Sequence, residues 1–260
     1  MAQPRCSDAG PLKSDVDLND LDYRSRIYDS YVHSRTQSAS TSIDELKDRA
    51  PYLRRLIAEH FPADRNAHIL DLGAGTGSLM HFARRAGYEN MVGVDRSAEQ
   101  VTEARRLGNE KVEEADLMNR LASLPPDSHD VIIAFDVIEH FTRSEVLAFA
   151  DEVRRVLKQG GKWIIHTPNA ESPFFGRIRY GDFTHEQAFT TTSIGQLLLS
   201  SGFRSLRSYE DEPIVHGFKS AVRYTLWKAI RGMLRLYIAA ETGSTGPAIF
   251  SQNFLTVAMK

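Results

Sequence analysis

Asp71, Gly73, Gly75 and Gly77 are the residues of this chain whose types and spacing most directly imply chemistry. They lie in the run His68-Ile-Leu-Asp-Leu-Gly-Ala-Gly-Thr-Gly-Ser78. Glycines at alternate positions leave a backbone bare enough to turn sharply and to approach a ligand closely. The Asp71 carboxylate would welcome an ammonium group and repel a pyrophosphate. Ser78 stands where the dinucleotide fingerprint G-x-G-x-x-G needs its third glycine, so a nicotinamide dinucleotide is disfavoured on two counts. A second acid, Asp95, follows the glycines by about twenty residues, where a carboxylate can accept both vicinal hydroxyls of a ribose. A third group, Asp136, Glu139 and His140, offers two carboxylates and an imidazole within five positions.

These residues need elements that bring them together. Ile69, Leu70 and Leu72 form a short apolar run typical of a buried parallel strand, and Leu79 to Ala86 reads as the helix that follows. Met91 to Asp95 is a second strand, Lys111 to Ala115 a charged strand near a sheet edge, Asp130 to Phe135 a fourth and Trp163 to His166 a fifth. Between them, Ser97 opens a helix through Arg106, and Thr142-Arg-Ser-Glu145 opens a longer one with one apolar face, stopped by Gly160-Gly161. Alternation of this kind implies a doubly wound α/β sheet, whose ligands bind outside the carboxyl ends of its strands. Asp71, Asp95 and Asp136 all fall at that edge.

With the acid, the glycines and the strand-end carboxylate in place, the chain resembles the class I S-adenosylmethionine-dependent methyltransferases over roughly residues 66 to 210. The resemblance implies a Rossmann-like, mostly parallel seven-stranded sheet with an antiparallel last strand, and S-adenosylmethionine as cofactor. It implies cofactor contacts from Asp71, Gly73, Ala74, Gly75, Gly77, Asp95, Arg96, Asp116, Leu117 and Phe135, with Asp116 accepting from the adenine amino group and Arg96 flanking the ring. Asp136-Val-Ile-Glu139-His140 and the Leu157 to Ile165 stretch resemble the ubiquinone-type O-methyltransferases. The segment Tyr180 to Gln187, with the basic stretch after residue 211, looks more like bacterial methyltransferases associated with surface polysaccharide. Asp136, Glu139 and His140 could instead hold a divalent ion, as matching positions do in some ubiquinone-type relatives, although one short cluster does not make a metal site and none is assigned.

The reaction implied is in-line displacement of a methyl group by an acceptor. An alcohol is a poor nucleophile until it loses its proton, so a sugar or phenol acceptor calls for a base. His140 or His185 is the candidate base, oriented by Glu186 or Asp182. The acceptor expected is a hydroxyl of a small molecule, sugar or glycan, with a phenolic quinone precursor as the alternative and a non-catalytic cofactor-binding module as the rival of another class. Residues 168–191, aperiodic and rich in aromatic and polar side chains, are expected to roof the acceptor.

Composition narrows the rest. With 260 residues, 42% of them hydrophobic, the chain can fill a sizeable core. Thirty-two basic residues balance 34 acidic ones, which gives no global field for nucleic acid. The strand-four end also lacks the Asn/Asp-Pro-Pro-Tyr/Phe pattern of enzymes that methylate nucleic-acid amino groups. The single Cys6 allows no internal disulfide, Met1 to Pro11 has no signal-peptide core, and no run approaches about 18 apolar residues, so a cytoplasmic protein is expected.

Residues 1–20 are expected to be a flexible tail, 21–62 a helical segment and 63–260 the methyltransferase domain, with additions at 168–191 and 211–250. Tyr23, Ile27, Tyr28 and Tyr31 mark a helix packed on the domain, with Tyr28 or Tyr31 as a lid over the cofactor as the alternative, and Ser42-Ile-Asp-Glu45 reads as a capping box. The stretch 214–240 combines Lys219, Arg223, Lys228, Arg231 and Arg235 with regularly spaced apolar residues. Three destinations fit such a helix: the face of its own domain, a second subunit in a homodimer, or an anionic membrane surface.

Overall fold

In a computed structural model, residues 23–28 and 43–260 are described. The tail expected at 1–20, Tyr31 and the Ser42 cap lie outside the described residues, as does the side chain of Tyr28. Two helices precede the sheet: α1 (Tyr23–Tyr28) and α2 (Ile43–His60).

Strands β1 (Ile69–Leu72), β2 (Met91–Asp95), β3 (Val112–Glu114), β4 (His129–Phe135), β5 (Leu157–Pro168), β6 (Arg204–Glu210) and β7 (Asn253–Met259) form one sheet. Its order is β3-β2-β1-β4-β5-β7-β6, with β1 to β5 parallel and β7 antiparallel to both neighbours. The register decides where the site lies. Leu72 pairs with Val94 on one side and Ala134 on the other, so Gly73 stands level with Asp95 and Phe135. Three separate stretches of sequence therefore end at one edge.

Alternate residues of the central strands feed two cores. Leu70, Ile132 and Trp163 pack on one face against α6 (Arg143–Val156) and α8 (Thr191–Ser200), through Phe149, Val153 and Leu198. Ile69, Ile133 and Ile164 pack on the other face against α2 and α3 (Ser78–Arg85), through Leu53, Ile57 and Phe82. Each such aliphatic side chain contributes about 1.5–3 kcal/mol on burial. Asp71 falls on the second face, where it is 3% exposed. Pro51 lies inside α2.

The remaining helices are α4 (Ala98–Arg106), α5 (Leu117–Ser123), α7 (Phe175–Arg179) and α9 (Phe218–Thr242). Thr142 and Glu145 close a reciprocal capping box at the start of α6, and Ser97 accepts from Gln100 N at the start of α4, as their types require. Gly160-Gly161 does not stop α6. That helix ends at Val156, Leu157 already has extended backbone, and the glycines lie inside a 12-residue β5. Gly160 has φ +75, and the β4–β5 pairing shifts register beside it, so the pair serves a bulge at the start of the strand. Among the described residues, no helix is long and apolar enough to cross a membrane.

Candidate active site

The glycine loop joins β1 to α3 and is moulded by its neighbours. Gly73 and Ala74 N–H groups both donate to Val94 O, at 2.8 and 3.0 Å. A Cβ on Gly73, at φ +73, would stand 2.5 Å from Val137 Cγ2, so no other residue fits between the loop and the end of β4. In β2, Gly93 plays the matching part from below, because a Cβ there would meet Met80 Sδ at 2.5 Å and Ala74 Cβ at 2.8 Å.

Two cavities open along this loop. One, of about 260 Å³, is lined by Asp95, Arg96, Asp116, Leu117, Val137 and His140. The other, of about 250 Å³, is lined by Asp71, Ala74, Thr76, Ser78 and Arg49. They meet at Gly73, Gly75, Gln100, Phe135 and Asp136. Every cofactor contact expected from the sequence, except Gly77, thus borders one or the other of these adjoining cavities. Gly77 is buried at the start of α3 against Asn109, whose side-chain amide donates to Thr76 O at 3.0 Å.

The electrostatics of this space fit an aminoacyl nucleoside. Burial, then the charge of Asp95, pushes the Asp71 carboxyl up to about 7, a strain that a bound ammonium would relieve. Asp95 Oδ2 accepts from Gly75 N at 2.8 Å and Oδ1 from Ser97 N at 2.9 Å. Burial raises its pKa while those amides oppose the rise. The Arg96 amide is a third donor to this carboxylate, which still has acceptor capacity for a ribose hydroxyl. Asp116 caps α5 through Asn119 N at 3.0 Å and lines the far end of the first cavity beside Leu117.

At the opposite end stands an arrangement that the sequence did not announce. Asp136, held at φ +54 just past β4, places Oδ1 2.7 Å from His166 Nδ1, and His166 Nε2 lies 2.8 Å from Asp211 Oδ2. Tyr52 donates its hydroxyl to Asp211 Oδ1 at 3.0 Å. Burial works against a charged ring at His166, yet the Asp136 and Asp211 carboxylates outweigh it and raise its pKa well above the ordinary value. The ring is an imidazolium between two acids, stacked on Phe135 at 4.8 Å. Asp136 in turn has its pKa lowered, since His166 overcomes the cost of burial, and half of its side-chain surface opens into the cavities.

His140 and His185 come together, their rings 4.8 Å apart and edge to face. Thr184 donates its hydroxyl proton to Asp182 Oδ1 at 2.6 Å, so the His140 Nδ1 found 2.8 Å from the same oxygen must carry the donating proton. That tautomer leaves the lone pair on Nε2. His185 Nδ1 donates to Ile178 O at 3.1 Å, which likewise puts its lone pair on Nε2. Burial, then the neighbouring His185, pushes His140 down to about 4, and burial lowers His185 as well. Both rings are therefore neutral proton acceptors at pH 7.

Glu186, expected to orient the base, instead accepts from the Tyr23 hydroxyl. Asp182 holds the orienting position, through Thr184. The contacts of α1 with the site come from Tyr23, which the sequence marks only as part of the helix's apolar face, and from Arg24, which lines the first cavity and grips Glu145 with two bonds of 3.1 and 3.0 Å. The alternative metal trio of Asp136, Glu139 and His140 is not the one assembled, because Asp136 faces His166. Glu139, His140 and His185 are the groups whose ligand atoms lie within 4.8 Å of one another. Glu139 is fully buried, accepts from Thr167 Oγ1 at 3.0 Å, and is pushed up to about 8 by burial and then by Asp136.

The chain belongs to the methyltransferase domain family, which matches residues 46–208, and its fold and loop make it a class I S-adenosylmethionine-dependent methyltransferase. The same fold is seen in a SAM-dependent methyltransferase from Archaeoglobus fulgidus, at 17% identity and a TM-score of 0.61, covering 84% of this chain and 100% of the other. An S-adenosylmethionine-dependent methyltransferase from Mesorhizobium loti shares it at 20% identity and a TM-score of 0.55, covering 82% and 97%. So does phosphoethanolamine N-methyltransferase 2 of Haemonchus contortus, solved with S-adenosyl-L-methionine, at 16% identity and a TM-score of 0.54, covering 90% of this chain and 56% of that one. S-adenosylmethionine is the cofactor.

Proposed function

We propose that this methyltransferase methylates a hydroxyl group, most fittingly one on a sugar or glycan, with His140 as the general base. The observation that carries this reading is the Asp182–Thr184–His140 chain, which presents a neutral imidazole in the wall of the first cavity. A neutral amine already owns the lone pair it needs, whereas an alcohol must lose a proton as it attacks. A pre-oriented base is therefore chiefly useful to an oxygen nucleophile.

S-adenosylmethionine supplies an electrophilic methyl group on a sulfonium, and we assign its binding to Asp71, the glycine loop, Asp95, Arg96, Asp116, Leu117 and Phe135. Asp71 would fix the ammonium end and Asp95 the ribose. Alignment of this kind can save about 7–11 kcal/mol, while a positioned base adds about 10²–10⁴-fold. His140 Nε2 would take the hydroxyl proton as the acceptor oxygen attacks the methyl group that the cofactor supplies. The resulting imidazolium donates through Nδ1 to Thr184, and Asp182 behind it offsets the charge.

A carbohydrate acceptor is supported by residues 168–191. Tyr180 and Phe183 expose their rings there, at 77% and 80%, among Arg179, Asp182 and Glu186. Aromatic faces beside polar groups suit a ring with apolar C–H faces and equatorial hydroxyls. The test is S-adenosylhomocysteine release by the purified protein across hydroxylated sugars, phenols and amines. Turnover of sugars that His140→Ala abolishes, with cofactor affinity retained, is expected. Turnover of phenols alone would transfer the assignment to a quinone-type acceptor. Cofactor binding with no turnover of any hydroxyl compound would defeat it in favour of a non-catalytic module.

A further inference from the structure

Helix α9 is two-faced in a way its own domain does not use. Ser220 is buried, and Tyr224, Trp227, Arg231, Leu234 and Ile238, which recur every three or four residues on the same side, are partly covered. Arg231 anchors that stripe, 2.7 Å from Glu210 at the end of β6. On the opposite side Phe218, Val222, Leu226, Met233, Leu236 and Tyr237 form a second stripe at helical spacing, and all of them are exposed, Phe218 by 85% and Leu236 by 70%. An apolar band along a 25-residue helix, about 37 Å long, is far more continuous than the scattered apolar residues of ordinary surfaces.

The charge says what covers it. Residues 214–240 contain five cations and no acidic residue, in a chain where acids outnumber bases 34 to 32. Arg231 faces inward, and Lys219, Arg223, Lys228 and Arg235 are exposed. Two copies of this face would bring like charges together, so a homodimer through α9 is disfavoured. An anionic partner is favoured, and its surface must also accept a long apolar stripe. Lys and Arg stems can lie along such a surface while their heads reach outward to phosphates. The helix is not apolar enough to cross a bilayer, which leaves it lying in the interface.

We infer that α9 docks the enzyme in the plane of an anionic lipid surface. The topology gives the docking a consequence. α9 is inserted between the end of β6 and the start of β7, and β6 runs parallel to β1 through β5 by way of β7. The insertion therefore springs from the ligand-binding edge of the sheet, one step past Asp211, which holds His166. A docked enzyme presents that edge to the lipid, where an acceptor carried on the surface could enter.

The experiment is co-sedimentation of the full chain with vesicles of phosphatidylcholine alone and of phosphatidylcholine mixed with phosphatidylglycerol. Binding to the mixed vesicles only, weakened by salt, is expected. Each cation near the surface contributes about fivefold, so the K219Q/R223Q/K228Q/R235Q variant should bind on the order of several hundredfold more weakly. Leu226→Ser with Met233→Ser should also weaken it. Calorimetry with S-adenosylmethionine checks that both variants are folded, and it is independent of which acceptor the enzyme uses. Absence of binding to either vesicle, or equal binding to both, overturns the inference. So does dimerisation of the wild type, seen by analytical ultracentrifugation and abolished by Met233→Asp, since a second copy would then own the face.

Discussion

Asp136 Oδ1 and His166 Nδ1 meet at 2.7 Å across the carboxyl ends of two adjacent strands, and the same ring is held from behind by Asp211. A main-chain bond from Asp136 N to His166 O, at 3.0 Å, fixes the pair further. The acid nearest the junction of the two cavities is thus clamped rather than free to swing.

Removing the clamp should be costly. His166→Leu leaves the Asp136 and Asp211 carboxylates without their cation, and because these acids keep 49% and 26% of their side-chain surface exposed the loss should be about 1–3 kcal/mol, less than for a fully buried pair. Urea unfolding of the variant measures this. His166 has a folded-state pKa raised above its unfolded value, so its contribution is complete below the unfolded value and is lost as pH climbs through the folded one. The stability gap between wild type and variant should therefore shrink in alkali. A gap that widened with rising pH would refute the imidazolium.

Asp71 should make cofactor binding sensitive to pH near neutrality. Its carboxyl is held at about 7 by burial and Asp95, and an ammonium ligand needs it ionised. Affinity for S-adenosylmethionine should fall by roughly tenfold per unit as pH drops below that value, with a proton released on binding at neutral pH. Isothermal calorimetry in buffers of different ionisation enthalpy reads both effects. Asp71→Asn should bind weakly and lose the pH dependence; if it keeps the wild-type profile, the ammonium is held elsewhere.

Asp95→Asn keeps the shape of the side chain and removes its charge. Charge-assisted hydrogen bonds contribute about 1.5–3 kcal/mol, so cofactor affinity should drop by about 10- to 100-fold. Equilibrium dialysis with labelled cofactor is sufficient, and unchanged affinity would remove the ribose from this position.

The relay on His140 separates three roles that a single activity measurement would blur. His140→Ala should lower kcat by about 10²–10⁴-fold while leaving cofactor affinity intact. Thr184→Val should lower kcat less and shift the pH–rate profile, because it cuts His140 off from Asp182 without removing the base. Glu186→Gln should change neither, since its carboxylate faces Tyr23. Wild-type turnover in His140→Ala would move the base elsewhere.

Much of this was readable from the chain. The β1–loop–α3 unit, the acid ending β2 and the caps at Ser97 and Thr142 are local features, in which residue type and neighbours suffice. The His166 clamp was not, because Asp136 lies 30 residues away, Asp211 lies 45 away, and Tyr52 reaches Asp211 across 159. Only the pairing of β4 with β5, and of β6 with β5 through β7, with α2 packed beside them, brings them together. That His166 ends an apolar strand at the ligand edge was the available signal. Gly160-Gly161 misled for a similar reason: a glycine pair after a helix resembles a stop until the bulge opposite β4 is known. Thr184 carries no sequence signature at all, since a single hydroxyl gains meaning only from the two groups it joins.

The position of β7 bears on how the molecule is made. It is made after β6, yet it lies between β5 and β6, and among the described residues β6 has no other neighbour in the sheet. Until Asn253 and the residues after it emerge, the nascent polypeptide carries an open border on β5 and a β6 without a partner strand, a recognised invitation to misassembly. A chain truncated before Asn253 should accordingly lose its cooperative thermal transition, although every residue of both cavities would have been synthesised.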